Sequence, residues 1–208
     1  MRVFLIHGMA RTPLSMLRFA RELRRAGYRP ELMGYAAAFE SYAGIVARLR
    51  KRLVKAALGG EPYAIVAHSL GGILARSALD QWPAECPLPR HLILLGTPNR
   101  PSRMACRFHR WWPYRLVNGE CGQLLTEPKF FAALPRPAIP ITVIAGTKSW
   151  PGPFNLFGAA PNDGMVAVDE ARLAGNDAAL VELPVSHTFM MNSGQVRRVV
   201  QEILDQEC

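Results

Sequence analysis

The chain has 208 residues, of which 50% are hydrophobic and 20% are charged. This length and composition fit a single domain over residues 1–208, because the chain can bury a substantial core and no stretch resembles an inter-domain linker. No apolar run reaches the ~18 residues that a membrane span requires, so a transmembrane protein is excluded. The chain enters its first predicted strand almost at once, which leaves no room for a signal peptide and predicts a cytoplasmic location.

Basic residues outnumber acidic ones, with 25 Lys and Arg against 16 Asp and Glu and a net charge of +9. An excess of this size often indicates an anionic partner such as nucleic acid or an acidic membrane. Two clusters of basic residues, however, fall on the outer faces of predicted helices, and no nucleic-acid-binding module is recognisable. We therefore expect no nucleic-acid partner. The four cysteines are too widely spaced for a paired ligand pattern, so no metal is expected.

Strand and helix patterns alternate along the chain. Apolar runs predict strands at residues 2–8, 30–35, 63–67, 91–96 and 141–146, with a weaker one at 180–183. Helical spacing predicts helices over residues 14–26, 42–58, 70–82 and 195–204. Because parallel strands need crossover connections, this alternation predicts an α/β fold with a six-stranded, mostly parallel sheet and helices on both faces. Ligands bind such sheets at the carboxyl ends of the strands.

The segment Ala67-His68-Ser69-Leu70-Gly71 lies where the third strand ends and a helix begins. Small residues flank Ser69, as a sharp strand-to-helix turn requires, because large side chains two positions away would clash. A serine in such a nucleophile elbow projects its hydroxyl away from the fold. The pattern therefore predicts that Ser69 is a nucleophile. The alternative is a Gly-rich connection with an incidental serine.

A serine nucleophile needs a base that accepts its proton and a group that orients the base. His187 follows the last strand and Asp163 follows the fifth, so both are expected at the sheet edge that holds Ser69. Serine, aspartate and histidine in this chain order form a known catalytic triad. A surface histidine at 187 and an Asp-Gly turn at 163 stay open as alternatives. The other candidates for the two roles are less well placed: His7, His68, His91, His109, Asp80, Asp169, Glu170 and Asp177.

The turn after the first strand, His7-Gly8-Met9, is expected beside the nucleophile. A tetrahedral intermediate carries an oxyanion that needs preorganised donors, commonly two backbone N–H groups. Leu70 follows Ser69 at the start of a helix, and Met9 lies in a turn where glycine allows a close approach. We therefore predict an oxyanion hole formed by the N–H groups of Met9 and Leu70. His7 is expected to anchor this turn by hydrogen bonding.

Residues 99–137, between the fourth and fifth strands, are predicted to be a lid-like or cap-like insertion. It contains a short predicted helix that starts near Pro101 and has arginines on one side, namely Arg100, Arg103, Arg107 and Arg110. The other side carries Met104, Phe108, Trp111 and Trp112. Further residues are expected in pocket walls or simply in the core: Phe130, Phe131, Trp150, Phe154 and Phe157.

Two interpretations of this basic amphipathic helix stay open. In the first, it is a lid whose apolar face, with Phe108, Trp111 and Trp112, binds the substrate and contacts an anionic lipid interface when the lid opens. In the second, the helix packs permanently on the core and keeps its arginines in water.

Ser69, Asp163, His187 and the turn at residues 7–9 together resemble the α/β-hydrolase superfamily over nearly the whole chain. The Ala-His-Ser-x-Gly-Gly form of residues 67–72 is similar to the elbow of small bacterial lipases and esterases, and six strands resemble the minimal version of that fold. The resemblance implies a serine carboxylic ester hydrolase that cleaves a small ester or lipid through an acyl-enzyme, without metal or organic cofactor. A thioesterase, an amidase or an acyltransferase with the same triad, and a non-catalytic lipid or signal receptor, are the alternatives.

Overall fold

Parallel strands form the centre of the molecule. The computed structural model describes residues 1–149, 155–175 and 178–207. Within them the strands are β1 (Arg2–Ile6), β2 (Arg29–Met33), β3 (Tyr63–His68), β4 (Leu92–Leu95), β5 (Ile141–Gly146) and β6 (Ala179–Leu183). They lie in the order β2-β1-β3-β4-β5-β6, and every neighbouring pair is parallel. The chain changes its direction of progression between β1 and β3, and such a switch point opens a crevice at the carboxyl ends of the strands.

Helices cover both faces of this sheet. Within the described ranges they are α1 (Leu17–Arg25), α2 (Tyr42–Leu58), α3 (Leu70–Ala78), α4 (Arg103–Phe108), α5 (Trp112–Leu124), α6 (Pro128–Ala133), α7 (Val168–Ala171) and α8 (Gly194–Gln206). Short 3-10 helices occupy Pro13–Met16 and His187–Asn192. Side chains of α1 and α8 pack on one face of the sheet, and those of α2 and α3 pack on the other. None of the helices in the described residues combines the length and apolarity needed to cross a bilayer.

Successive residues of β3 belong to different halves of the core. Ala64 and Val66 pack against α1 and α8, whereas Ile65 and Ala67 pack against α2 and α3. Adjacent side chains in a strand point to opposite faces, and both faces of this strand are covered. A strand buried on both sides needs apolar residues at every position, which explains why β3 reads as an uninterrupted apolar run.

The α/β fold class predicted from the sequence is confirmed. Two helix boundaries differ from the prediction. The helix expected over residues 14–26 starts as the 3-10 turn Pro13–Met16 before α1 begins, and the helix expected to reach residue 82 ends at Ala78. The insertion at residues 99–137 contains α4, α5 and α6, of which only the first was predicted.

A buried arginine fastens both ends of the insertion to α3. Arg76 donates to Oδ1 of Asn99 at 2.7 Å, and to the carbonyl oxygens of Leu134 and Pro135 at 3.0 and 2.9 Å. Burial lowers the pKa of Arg76 to about 10, so the guanidinium stays charged at neutral pH. The ends of the insertion are therefore held beside α3.

Candidate active site

Ser69 occupies the sharp turn between β3 and α3. Its backbone has φ 53° and ψ −125°, and positive φ is uncommon for residues other than glycine. Its N–H donates to the carbonyl oxygen of Leu95 in β4 at 2.9 Å, which ties the turn to the neighbouring strand. Strain of this kind persists only where the surrounding fold imposes it, and it often marks functional residues.

The glycine two residues after Ser69 allows α3 to approach β1. A β-carbon at Gly71 would lie 2.5 Å from the carbonyl oxygen of His7 and 2.9 Å from that of Ile6. Only a hydrogen atom fits in this space, so the small residue predicted from the elbow pattern has a steric cause. The close approach sets the turn after β1 beside the start of α3.

The structure brings Asp163 and His187 into direct contact. Nδ1 of His187 lies 2.7 Å from Oδ2 of Asp163, and the backbone N–H of His187 donates to the Asp163 carbonyl at 2.9 Å. Oδ1 of Asp163 accepts from the N–H groups of Met165 and Val166 at 3.0 and 2.7 Å. A carboxylate only accepts hydrogen bonds, so Nδ1 of His187 carries the hydrogen and Nε2 keeps its lone pair. This is the tautomer that a general base needs.

Ser69 and His187 both line a cavity of about 490 Å³ at the carboxyl edge of the sheet. No hydrogen bond joins the Ser69 hydroxyl to the His187 ring, and neither the hydroxyl nor Nε2 has another partner among the described residues. Such hydrogen bonds are often long until a substrate binds. Most of the remaining lining is apolar, and includes Pro98, Met104, Phe108, Val117, Leu125, Met165 and Val166.

The structure places the two predicted oxyanion donors differently relative to this cavity. Met9 lines it, whereas Leu70 is not among the lining residues and is buried at the first position of α3, directly after Ser69. Neither N–H group has an acceptor among the described residues. Ala10, next to Met9, has φ 53°, so the turn after β1 is held in a conformation that non-glycine residues seldom adopt. The two N–H groups thus remain available for hydrogen bonding.

His7 anchors the turn after β1, as predicted. Its Nδ1 lies 2.8 Å from the carbonyl oxygen of Gly8 and therefore donates to it, while Nε2 lies 3.3 Å from the N–H of Tyr35 and accepts from it. The His7 and Tyr35 rings stack at 4.2 Å between centroids. Burial lowers the pKa of His7, which keeps the ring neutral and in a fixed orientation.

His68 lies against the ring of His187, at 4.7 Å between centroids. Its Nε2 donates to the backbone carbonyl of His187 at 3.2 Å, and its Nδ1 has no partner in the described part of the chain. Burial, and then the nearby charges of His187 and Arg11, hold the pKa of His68 well below its usual value. A neutral His68 supports the segment that carries His187 without competing as a base at neutral pH.

The basic helix of the insertion is shorter than predicted. It does not start at Pro101, because the side chain of Ser102 accepts from the N–H of Ala105 and caps α4. It ends at Phe108 rather than continuing through Trp112, since Pro113 has no N–H to donate to the carbonyl four residues earlier. Proline is instead tolerated in the first turn of α5, which starts at Trp112.

The break between α4 and α5 changes where the predicted substrate-binding side chains lie. Phe108 lines the cavity, as expected. Trp111 and Trp112 do not belong to its lining and are 62% and 73% exposed, because they lie after the last turn of α4 and face solvent. Trp111 contacts Phe108 at 6.0 Å between ring centroids.

The base of α4 is bound to α7. The Arg103 side chain pairs with Asp169 at 2.5 Å, and the Arg103 N–H donates to Glu170 at 2.8 Å. Glu170 also accepts from the N–H of Ala167 at 3.0 Å, and burial raises its pKa. Since Ala105 is also buried in the core, these contacts favour an α4 that is packed at its base. The prediction of a mobile lid stays a prediction.

The remaining candidates from the sequence lie away from the cavity or outside the described residues. Except for His68, none of the described alternatives to the base and the carboxylate lines it, namely His7, His91, His109, Asp80, Asp169 and Glu170. Phe130, Phe131 and Phe157 are also absent from the lining, and Phe131 packs in the core. Asp177, Trp150 and Phe154 lie outside the residues that the structure describes.

Sequence reasoning missed several cavity residues. Tyr114, Val117 and Asn118 line the cavity from α5 and have the i, i+3, i+4 spacing of one helix face, a signal that was present in the sequence. Arg11 also lines the cavity, two residues after the predicted oxyanion donor Met9.

A second groove, of about 580 Å³, lies at the opposite edge of the sheet. Its lining includes Tyr63, Arg90 and Pro140, at the amino ends of β3, β4 and β5. Parallel sheets of this type bind ligands at the carboxyl ends of their strands, and this groove contains none of the groups described above. The cavity beside Ser69 is therefore the candidate active site, although it is slightly smaller.

The chain belongs to the Alpha/beta hydrolase family, which matches it over residues 3–205. This confirms the resemblance predicted from the elbow, the turn after β1 and the triad residues. No curated protein matches the sequence significantly.

Several solved structures share the fold. A metagenomic carboxyl esterase superposes with a TM-score of 0.81 at 17% identity, over 100% of this chain and 75% of that one. The mature form of a Bacillus licheniformis lipase gives a TM-score of 0.72 at 20% identity, over 98% of this chain and 91% of that one. A monoacylglycerol lipase from Paleococcus ferrophilus gives 0.67 at 13% identity, over 100% and 95%.

Proposed function

We propose that this protein is a serine carboxylic ester hydrolase. One observation carries the proposal: a strained Ser69 and a His187 bound to Asp163 line the same largely apolar cavity. The members of the fold named above include a carboxyl esterase and two lipases, and their names support the same reaction class. The substrate is an ester whose apolar chain occupies the cavity.

The first half of the proposed reaction forms an acyl-enzyme. Oγ of Ser69 attacks the ester carbonyl carbon while Nε2 of His187 accepts the hydroxyl proton. The carbonyl oxygen becomes an oxyanion that accepts hydrogen bonds from the N–H groups of Met9 and Leu70. The carbon–oxygen bond to the alcohol then breaks, and the proton on Nε2 passes to the leaving oxygen.

The second half releases the acid. Nε2 of His187 accepts a proton from water as the water oxygen attacks the acyl carbon, and the same two N–H groups stabilise the second oxyanion. The bond to Ser69 breaks and Oγ regains a proton from His187. Throughout, Asp163 holds His187 in the tautomer with hydrogen on Nδ1 and stabilises the imidazolium that forms twice in each cycle.

A fluorophosphonate probe tests the nucleophile directly, because it phosphonylates an activated serine. We expect one adduct on the peptide that contains Ser69, identified by mass spectrometry, and none on the Ser69→Ala protein. The matched control is Ser15→Ala, whose hydroxyl lies in a 3-10 helix outside the cavity and which should label as the wild type does. A folded wild type that is not labelled, or an adduct on another serine, would contradict the proposal.

The ester class is tested with p-nitrophenyl esters of increasing acyl length, assayed beside the matching thioesters. We expect turnover of the oxygen esters by the wild type, and a preference for chains long enough to fill the apolar lining. Cleavage of thioesters alone would keep the nucleophile but replace the esterase by a thioesterase.

Replacing Trp111 and Trp112 together with alanine is expected to reduce cleavage of emulsified long-chain esters about tenfold more than cleavage of short soluble esters. Both indoles are exposed and lie outside the cavity lining, so they can contact a lipid aggregate but not a small dissolved substrate. The measurement is the ratio of the two rates. Phe39→Ala, which removes an 89% exposed aromatic ring outside the lining, is the control and should leave the ratio unchanged. An equal loss on both substrates would refute the lipid-contact hypothesis.

A further inference from the structure

Among the described residues, one charged side chain lies in the wall of the cavity beside Ser69 and has no part in the proposed reaction. Arg11 is half-buried and lines the cavity together with Ser69 and His187. It follows directly on the turn that holds the proposed oxyanion donor Met9, and the part of the lining that the structure describes contains no Asp or Glu. The positive charge of Arg11 acts on groups in the cavity wall, since it contributes to lowering the pKa of His68.

No acceptor in the described part of the chain satisfies this guanidinium. Other arginines near the core have partners: Arg103 pairs with Asp169, and Arg76 donates to carbonyl oxygens at the ends of the insertion. Arg11 has neither an ion pair nor a hydrogen bond with a described residue. A guanidinium presents five N–H donors in a planar fork that matches a carboxylate or phosphate, so this side chain is suited to bind an anion.

Apart from Ser69, His187 and Nδ1 of His68, the polar side chains that the described residues place in the wall are already engaged within the protein. The Ser102 hydroxyl accepts from the N–H of Ala105, the Tyr114 hydroxyl donates to the carbonyl of Gly122, and the Asn118 amide donates to the carbonyl of Tyr114. Arg11 is therefore a charged donor for which the described residues supply no acceptor, in a wall that is otherwise mostly apolar. A ligand that matches this wall combines an apolar chain with one anionic group.

We infer that Arg11 binds an anionic group of the substrate, so that the preferred esters carry a carboxylate or a phosphate near the scissile carbonyl. This inference rests on the proposed function, because it names the substrate class of the same site. The anion is either a carboxylate on the acyl part, as in a half-ester of a dicarboxylic acid, or a phosphate on the alcohol part, as in an acylglycerol phosphate. Both place a bidentate acceptor on Arg11 while the carbonyl oxygen lies at the N–H groups of Met9 and Leu70.

Matched substrate pairs test the inference and distinguish the two sources of the anion. The first pair is the mono-p-nitrophenyl ester of adipic acid and its methyl-capped neutral form, and the second is an acylglycerol phosphate and the corresponding monoacylglycerol. The quantity measured is the ratio of kcat/KM for the anionic ester to that for the neutral ester. We expect Arg11→Met to lower this ratio at least about tenfold for one pair, as the loss of a charge-assisted hydrogen bond predicts. Arg11→Lys should retain part of the ratio, because the charge remains but the fork is lost.

The matched control is Arg18→Met, which removes one exposed positive charge from α1, outside the cavity lining. We expect this variant to keep the wild-type ratio for both pairs. If Arg11→Met leaves both ratios unchanged, or if Arg18→Met lowers them as much, the inference is overturned and Arg11 is a solvated residue at the cavity mouth. In either case hydrolysis of the neutral esters would leave the proposed function standing.

A binding measurement separates this inference from the failure of catalysis. With Ser69→Ala as background, octyl phosphate, octanoate and octanol are titrated by calorimetry, with and without Arg11→Met. We expect at least one of the two anions to bind more tightly than octanol, and Arg11→Met to remove that advantage. Equal binding of the three compounds, or an advantage that survives Arg11→Met, would overturn the inference even if no ester were hydrolysed.

Discussion

Replacing Ser69 with alanine is expected to lower kcat for p-nitrophenyl ester hydrolysis by about a millionfold, the order of loss known for serine nucleophiles that act within a triad. The variant keeps the cavity and the oxyanion donors but has no group that can form an acyl-enzyme. The Asp163–His187 pair cannot compensate for this change, because the hydroxyl whose proton His187 accepts has been removed. KM measurements and a melting curve should show that the variant still folds.

Ser15→Ala serves again as control and should keep wild-type kcat, since its hydroxyl is bound to the Thr12 carbonyl outside the cavity. Substantial hydrolysis by Ser69→Ala would mean that another residue is the nucleophile. A folded wild type without activity on any ester or thioester would instead favour a protein that keeps the fold and binds its ligand without cleaving it.

The centre of this fold could be predicted because burial on both sides of the sheet leaves a strong local pattern. β3 and β5 are apolar at nearly every position, and the structure places them within one residue of the predicted bounds. The elbow was equally accessible, since the close approach of α3 to β1 requires a glycine at position 71. Where a constraint acts on every residue of a segment, the sequence alone reveals it.

The insertion was harder to predict because its helices are short and only partly covered. α5 exposes Leu116 and Val117 at 64% and 47%, so its apolar residues do not define a single buried face. The predicted extension of α4 through Trp112 was wrong because the helical side-chain pattern runs up to the residue before Pro113, and this proline has no N–H to donate to the carbonyl four residues earlier. Side-chain periodicity therefore predicted the wrong end for this helix, because the end is determined by the hydrogen bonding of the backbone.

The candidate triad shows a different limit of sequence reasoning. Asp163 was selected because it follows β5 and precedes the last strand, but the sequence does not reveal what holds it. In the structure two consecutive N–H groups, from Met165 and Val166, bind Oδ1 and leave Oδ2 for His187. Likewise, that Arg11 is left without a partner in the described chain depends on tertiary contacts that no local pattern records.

These contacts make Asp163→Asn a specific test of the positioning role of Asp163. The asparagine oxygen can keep both backbone N–H bonds, so the side chain should retain its orientation. Its NH₂ group would then face Nδ1 of His187, where the carboxylate accepts a hydrogen now. To avoid opposing donors, the ring must adopt the tautomer with hydrogen on Nε2, which cannot accept the proton of Ser69. We expect kcat to fall about ten-thousandfold with little change in melting temperature.

Asp169→Asn is the matched control, because this carboxylate also follows β5 but pairs with Arg103 at the surface and lies outside the cavity lining. It should keep kcat within about twofold, since a surface ion pair contributes little to stability.

A second readout separates positioning from folding: fluorophosphonate labelling of Ser69 should slow in Asp163→Asn in parallel with kcat, because both reactions need Nε2 as the base. If Asp163→Asn kept near-wild-type kcat and labelling, or if Asp169→Asn lost both, the carboxylate that orients His187 would have been misassigned. Loss of kcat with unchanged labelling would instead place the role of Asp163 after nucleophilic attack, in stabilising the charged His187 during deacylation.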